Sequence, residues 1–165
     1  MKEREVKIRV DKLAGLNERL IAQGFIFRGK RRQRDVYFNH PCRDFSKTDE
    51  ALRVRFEEGR IELTYKGPRE DKRPVKVREE ISCNVLGDVE TLLERLGFKK
   101  VAEVVKEREV YEKEGTRVLL DRVENLGEFV EIEGEADFEE LVRSLGIPWT
   151  PISLTYLEML LSQKA

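Results

Sequence analysis

Glu3-Arg4-Glu5-Val6-Lys7 carries two carboxylates at alternate positions, followed by an ammonium group. In an extended strand residues two apart share a face, so the Glu3 and Glu5 carboxylates lie side by side, about 7 Å apart at the Cα level. Glu131-Ile132-Glu133 repeats that spacing far along the chain. Between the two pairs come bases on a shared parity: Arg53 and Arg55, Lys66, Lys76 and Arg78, Lys106 and Arg108. Asp121 adds a further acid next to Leu120. Hard carboxylate oxygens suit Mg²⁺ or Mn²⁺, while guanidinium forks and ammonium groups suit phosphate oxygens. The set is equipment for holding a polyphosphate together with a divalent ion.

Composition removes several other classes. The 165 residues are 39% charged, against about 25% in an average soluble protein, yet 32 Lys+Arg face 33 Asp+Glu and the net charge is −1. That balance argues against a globally basic nucleic-acid binder. With 39% of residues hydrophobic and regularly spaced, it is no disordered polyelectrolyte either. No apolar run approaches the roughly 20 residues of a membrane span, and Met1-Lys2-Glu3-Arg4-Glu5 is no signal peptide start, so a cytoplasmic location is expected. Cys42 and Cys83 lack metal-ligand spacing and read as free thiols. His40, the one histidine, reads as a loop residue beside Pro41, and Trp149 as an anchor for the C-terminal segment. There is no Gly-rich phosphate loop, Ser/His/Asp set or Cys/His cluster.

The elements that must position these residues follow from periodicity. Helical spacing covers 11–23, 88–96, 137–145 and 153–161, with Leu13, Leu16 and Leu20 on the first helix and Leu154, Leu157 and Leu161 on the last. Gly24, Gly97 and Gly146 are natural stops, and Asp137 with Glu140 resembles a capping box. Alternating stretches cover 2–10, 25–39, 51–58, 60–66, 75–83, 99–113, 116–123 and 127–135. Short turns join several of these strands, which must therefore be antiparallel. A weak repeat relates Gly24-Phe25, leading to Arg34-Asp35-Val36-Tyr37, to Gly97-Phe98, leading to Arg108-Glu109-Val110-Tyr111. It implies two similar halves in one sheet.

A plain solvated sheet face would also be charged. Against that reading, the bases recur in strand after strand, the acids gather in the first and last strands, and four amphipathic helices suffice to cover the outside of a closed sheet. The charged face then points inward. Buried unpaired ions cost several kcal/mol each, roughly, so such a lumen must hold water and, in use, a ligand.

Taken in order, Glu3-Arg4-Glu5-Val6-Lys7, Arg53-Val54-Arg55, Lys66, Arg78-Glu79-Glu80, Lys106-Glu107-Arg108, Asp121 and Glu131-Ile132-Glu133 resemble the CYTH superfamily, which joins class IV adenylate cyclases with thiamine and inorganic triphosphatases. The resemblance implies an α+β fold: one domain over 1–165, an antiparallel eight-stranded tunnel with helices packed outside. Its tunnel strands and two helices occupy 1–135 and a C-terminal helical segment 136–165. It implies metal binding by Glu3, Glu5, Asp121, Glu131 and Glu133. Triphosphate binding would fall to Lys7, Arg53, Arg55, Lys66, Lys76, Arg78, Lys106 and Arg108, with Lys7, Arg55 and Arg108 catalytic. The stretch Gln33-Arg34-Asp35-Val36-Tyr37-Phe38-Asn39-His40-Pro41 looks most like the cyclase branch. The expected reaction is thus Mg²⁺- or Mn²⁺-dependent conversion of ATP to cyclic AMP and pyrophosphate. The alternatives are hydrolysis of an inorganic, nucleoside or thiamine triphosphate, or a non-catalytic polyphosphate sensor. The expected partner is a small-molecule triphosphate, with no membrane or nucleic acid, and a homodimer stays open.

Overall fold

Alternation of apolar and polar side chains produces eight strands: β1 (Lys2–Val10), β2 (Ile26–Asn39), β3 (Ala51–Glu57), β4 (Arg60–Lys66), β5 (Lys76–Val85), β6 (Lys99–Lys113), β7 (Thr116–Val123) and β8 (Gly127–Glu133). Among the described residues five helices accompany them: α1 (Leu16–Ala22), α2 (Phe45–Thr48), α3 (Val89–Arg95), α4 (Phe138–Ser144) and α5 (Tyr156–Gln163). This is a computed structural model that describes residues 1–70 and 73–164. The strands close into an antiparallel barrel in the order β1-β5-β4-β3-β2-β6-β7-β8, the eight-stranded tunnel expected from the sequence. All eight expected strands form, each within two residues of its expected bounds.

The apolar faces of the strands point outward and the helices cover them. Val6, Ile8, Val118, Leu120, Val130 and Ile132 pack beneath α1 and α4, through Leu16, Leu20, Phe138 and Val142. Val36, Phe38 and Val54 pack beneath α3, through Val89 and Leu93. Asp137 caps α4 by accepting from the Glu140 amide. The reciprocal capping box belongs to α5 instead, between Thr155 and Glu158.

Several local expectations are corrected. Leu13 is buried as expected, but α1 starts only at Leu16 because Gly15 adopts a left-handed φ of 88°. The short α2, opened by Asp44, was not foreseen. The final helix begins at Tyr156, not Ser153, and buries Tyr156 and Leu160; Leu154 and Leu161 are exposed.

The repeat is real in topology. Exchanging β1 with β5, β2 with β6, β3 with β7 and β4 with β8 reproduces the strand order. Register fixes which residues correspond. Arg28 in β2 and Val101 in β6 are the residues bulged out of the β2–β6 pairing, and Gly24 and Gly97 close α1 and α3 with φ of 88° and 96°. Aligned on these, Asp35 corresponds to Arg108 and Arg55 to Asp121. The residue match Arg34/Arg108 read from the sequence is therefore one position out. Arg34 lies on the outside with Glu103, whereas Arg108 faces the lumen.

Candidate active site

Strand parity sends Glu3, Glu5, Lys7, Arg53, Arg55, Lys66, Arg78, Lys106, Arg108, Glu131 and Glu133 to the inner wall, where they line one cavity of about 910 Å³. At one end this cavity opens to solvent between Arg31, Glu57, Arg60, Glu62, Asn84 and Arg117. At the other end the Tyr156 ring forms its floor. Below that ring Val104, Val123, Leu126 and Phe129 pack with Tyr156 and Leu160 as a closed apolar cluster.

The carboxylates assigned to metal from the sequence do not all gather in one place. Glu3, Glu5 and Glu133 each present an oxygen within 4.8 Å of the others, the one such cluster among the described residues. Strands β1 and β8 bring them together, since Glu5 pairs directly with Glu133. Burial, reinforced by the charges of Glu3 and Glu131, raises Glu133 to about 7. Three crowded hard-oxygen donors could be neutralised by a divalent cation, so the residues fit that group. Asp121 and Glu131 are occupied otherwise, because the Arg108 guanidinium lies between them. Asp121 accepts from Arg108 Nε at 2.7 Å, from Arg108 Nη2 at 2.6 Å and from Tyr156 Oη at 2.8 Å. Glu131 accepts from Arg108 at 2.8 Å and pairs with Lys7 at 3.5 Å. Burial would raise Glu131, but Arg108 and Lys7 hold it well below the usual carboxylate range.

The basic wall divides in the same way. Arg55 is spent on Asp35, donating at 2.7 and 2.8 Å, and Lys106 donates to the same carboxylate at 2.7 Å. Desolvation nevertheless pulls Lys106 down to about 7, with Arg55 and Arg108 adding repulsion. Lys76 falls to about 8 through burial and the neighbouring Lys7. Arg53 lies 3.2 Å from Glu62, and Lys66 pairs loosely with Glu3 at 3.6 Å and Glu80 at 3.5 Å. Arg78, buried at 7% exposure, has no hydrogen bond or ion pair among the described residues. It is the guanidinium most available to an anion.

Two wall residues escaped the sequence reading. Asp35 is fully enclosed, and it breaks the expected confinement of acids to the first and last strands, as do Glu62 and Glu80. Alternation in Gln33-Arg34-Asp35-Val36-Tyr37 was the available signal. Tyr156 comes from a helix, where strand parity says nothing. Lys7 Nζ sits 3.9 Å from its ring centroid and Lys106 Nζ 5.6 Å. His40 is structural: its Nδ1 accepts from the Cys42 amide and its ring packs against Phe45 and Phe98. Trp149 packs on the outer core, and Cys42 and Cys83 are free and exposed. No helix among the described residues is long and apolar enough to cross a membrane.

Comparison with known proteins agrees with this architecture. The model of the CYTH domain matches residues 1–154. A Methanocaldococcus jannaschii protein named "Putative adenylate cyclase MJ0240" is 44% identical over 135 residues, covering 81% of this chain and 77% of its own. The PH1819 protein from Pyrococcus horikoshii is 39% identical with a TM-score of 0.85, covering 98% of this chain and 99% of its own. A Hippeastrum protein described as having a dominant triphosphatase activity shares the fold at 19% identity, with a TM-score of 0.71 over 99% of this chain and 97% of its own.

Proposed function

Starting from the fact that the chain belongs to the CYTH domain family, we propose that it binds a triphosphate together with Mg²⁺ or Mn²⁺ and acts on it chemically. One observation carries this reading: the Glu3, Glu5 and Glu133 cluster stands at the height of the unpaired Arg78, which pairs in register with Glu3. Acids for a cation and a free guanidinium for phosphate thus meet in one lumen.

In this reading Glu3, Glu5 and Glu133 hold the ion. A bound divalent ion would supply charge neutralisation on the phosphate oxygens and would lower the pKa of a hydroxyl or water. Arg78, Arg53, Lys66 and Lys7 clamp the chain. Arg55 and Arg108, each already fixed on an aspartate, add preorganised positive charge from the sides. Arginine stays protonated throughout the working range, so these groups stabilise charge and take no proton.

The first reading of the reaction is conversion of ATP to cyclic AMP and pyrophosphate, supported by the name of the 44% identical relative. The ribose 3′-oxygen attacks the α-phosphorus, the bond from that phosphorus to the bridging oxygen breaks, pyrophosphate leaves, and the hydroxyl proton passes to solvent. The second is hydrolysis of a triphosphate; a dominant triphosphatase activity is ascribed to the Hippeastrum protein. The same cradle serves both. Incubation with Mn²⁺ or Mg²⁺ and, separately, ATP, inorganic triphosphate and thiamine triphosphate distinguishes them by product. Cyclic AMP with pyrophosphate is expected. Orthophosphate alone would replace the first reading with the second, and tight binding without product would make the protein a sensor.

A further inference from the structure

Resting on the triphosphate reading above, we infer that Lys66 couples cation binding to triphosphate binding. In the metal-free protein it is the counter-charge of Glu3, and it turns to the triphosphate once a divalent cation takes Glu3 over. One ammonium group cannot serve both tasks, so the two ligands bind cooperatively.

Lys66 is only 8% exposed, yet its Nζ donates no hydrogen bond among the described residues. It lies 3.6 Å from Glu3 Oε2 and 3.5 Å from Glu80 Oε2. Both separations exceed the roughly 2.7–2.9 Å of a charge-assisted hydrogen bond. Glu80 Oε2 is itself buried without a hydrogen-bond partner. An ammonium group committed to one carboxylate would close on it; this one is shared between two. To reach Glu3 it crosses a whole strand, because β5 lies between β4 and β1.

The two halves of the barrel explain why a cation of the protein's own stands there. Register equates Lys66 with Glu133, Glu80 with Glu5 and Arg78 with Glu3. One half gathers three acids that need a cation; the other sets two built-in cations around the one acid it keeps. Lys66 is long enough to serve Glu80 in its own half and Glu3 in the other. Glu3 is therefore claimed twice, by Lys66 and by the glutamate cluster. A cation held by that cluster satisfies Glu3 and repels the ammonium group. Lys66 then keeps Glu80, which it shares with Arg53 at 3.9 Å, and takes a phosphate oxygen as its second partner. By linkage, the factor by which the cation strengthens triphosphate binding is the factor by which the triphosphate strengthens cation binding.

Mn²⁺ titration of the protein alone, read by the paramagnetic resonance of free Mn²⁺, tests this without turnover. Lys66→Met should bind Mn²⁺ about tenfold more tightly than wild type, because the internal competitor is gone. Glu80→Gln should weaken Mn²⁺ binding at least about threefold, since Lys66 then leans wholly on Glu3. In the Lys66→Met background the same change should do nothing, as Glu80 acts on the cluster only through Lys66. An ATP analogue with methylene phosphate bridges, titrated with saturating Mn²⁺ and with chelator, gives the coupling ratio, which should fall about tenfold in Lys66→Met. Unchanged or weaker Mn²⁺ binding in Lys66→Met, an unchanged coupling ratio, or an effect of Glu80→Gln that persists without Lys66 would overturn the inference and leave the triphosphate reading intact. Failure of wild type to bind either Mn²⁺ or the analogue would overturn both. Should Lys66→Met not fold, Glu80→Gln decides alone: undiminished Mn²⁺ affinity there overturns the inference.

Discussion

Arg55 and Asp121 occupy corresponding places in the two halves of the barrel and carry opposite charges. Arg55 reaches across to Asp35 on the neighbouring strand with two hydrogen bonds, and Asp121 receives two from Arg108 on its neighbour. The corresponding strands and the bidentate geometry are the same, and both aspartates are fully buried; donor and acceptor have changed sides. Burial disfavours Asp35 as an anion, yet Lys106 and Arg55 hold its carboxyl well below the usual range. The two pairs neutralise the flanks of the lumen and leave the free charge concentrated at Arg78 and the glutamate cluster.

Asp35→Asn should therefore destabilise the fold more than its size suggests. It strips Arg55 and Lys106 of their shared counter-ion inside the barrel. A loss of about 3–5 kcal/mol is expected from breaking a buried pair on one side. Urea unfolding at neutral pH measures it, and a loss under about 1 kcal/mol would contradict the role given to Asp35.

Arg78→Met should behave in the opposite way. No described partner is orphaned, so unfolding should shift little, while a preorganised donor to the phosphates is lost. Turnover should drop about 10²- to 10³-fold. Unaltered kcat/KM on every triphosphate tried would remove Arg78 from the clamp.

Glu5→Gln keeps the side-chain size but removes one charge of the glutamate cluster. Mn²⁺ affinity, read by direct titration, should weaken at least about tenfold, and activity should fall with it. Excess chelator should abolish turnover in the unsubstituted protein. Full activity in chelator would sink the metal assignment.

Lys106 gives binding a pH signature. Its folded value near 7 means that it is mostly neutral at pH 8, and an incoming polyanion favours the protonated form. Triphosphate binding at pH 8 should take up about one proton and weaken as pH rises through 7 to 8. Calorimetry in buffers of different ionisation enthalpy measures the uptake. The stability sign is independent of ligand. Between about 7 and the unbound value of 10.5 the unfolded chain holds more protons, so this group's contribution to stability rises with pH across that window. In Lys106→Met the proton uptake should vanish; persistence would assign it elsewhere.

Most of the fold was legible because a closed antiparallel barrel obeys one local rule. Each strand alternates, and the charged parity of Glu3, Arg53, Lys66 and Glu131 pointed inward as expected. The site was legible only in part. Alternation reports which face a side chain occupies but not which neighbour captures it, so nothing in the spacing separated Arg55, committed to Asp35, from Arg78, left unpaired. Helix periodicity failed at the C-terminus for a related reason. Leu154, Leu157 and Leu161 form an apolar stripe in sequence, yet the segment through Leu154 is extended, and once the helix starts at Tyr156 the buried side is Tyr156 and Leu160. Where a helix begins is set there by the Thr155–Glu158 capping box, and the ring it delivers into the lumen depends on that starting point.

β1 has a place in the barrel at odds with its place in the chain. It precedes the other seven barrel strands in sequence, yet its two partners are β5 and β8. Strands β2, β3 and β4 can pair with their near neighbours as they emerge, but β1 has no edge to join until β5 exists and cannot be locked until β8 does. Barrel closure is thus the most non-local step in assembly and awaits nearly the whole chain, which favours slow folding. Glu3 and Glu5 ride on that last stave, so the glutamate cluster comes into being only at the moment the ring closes.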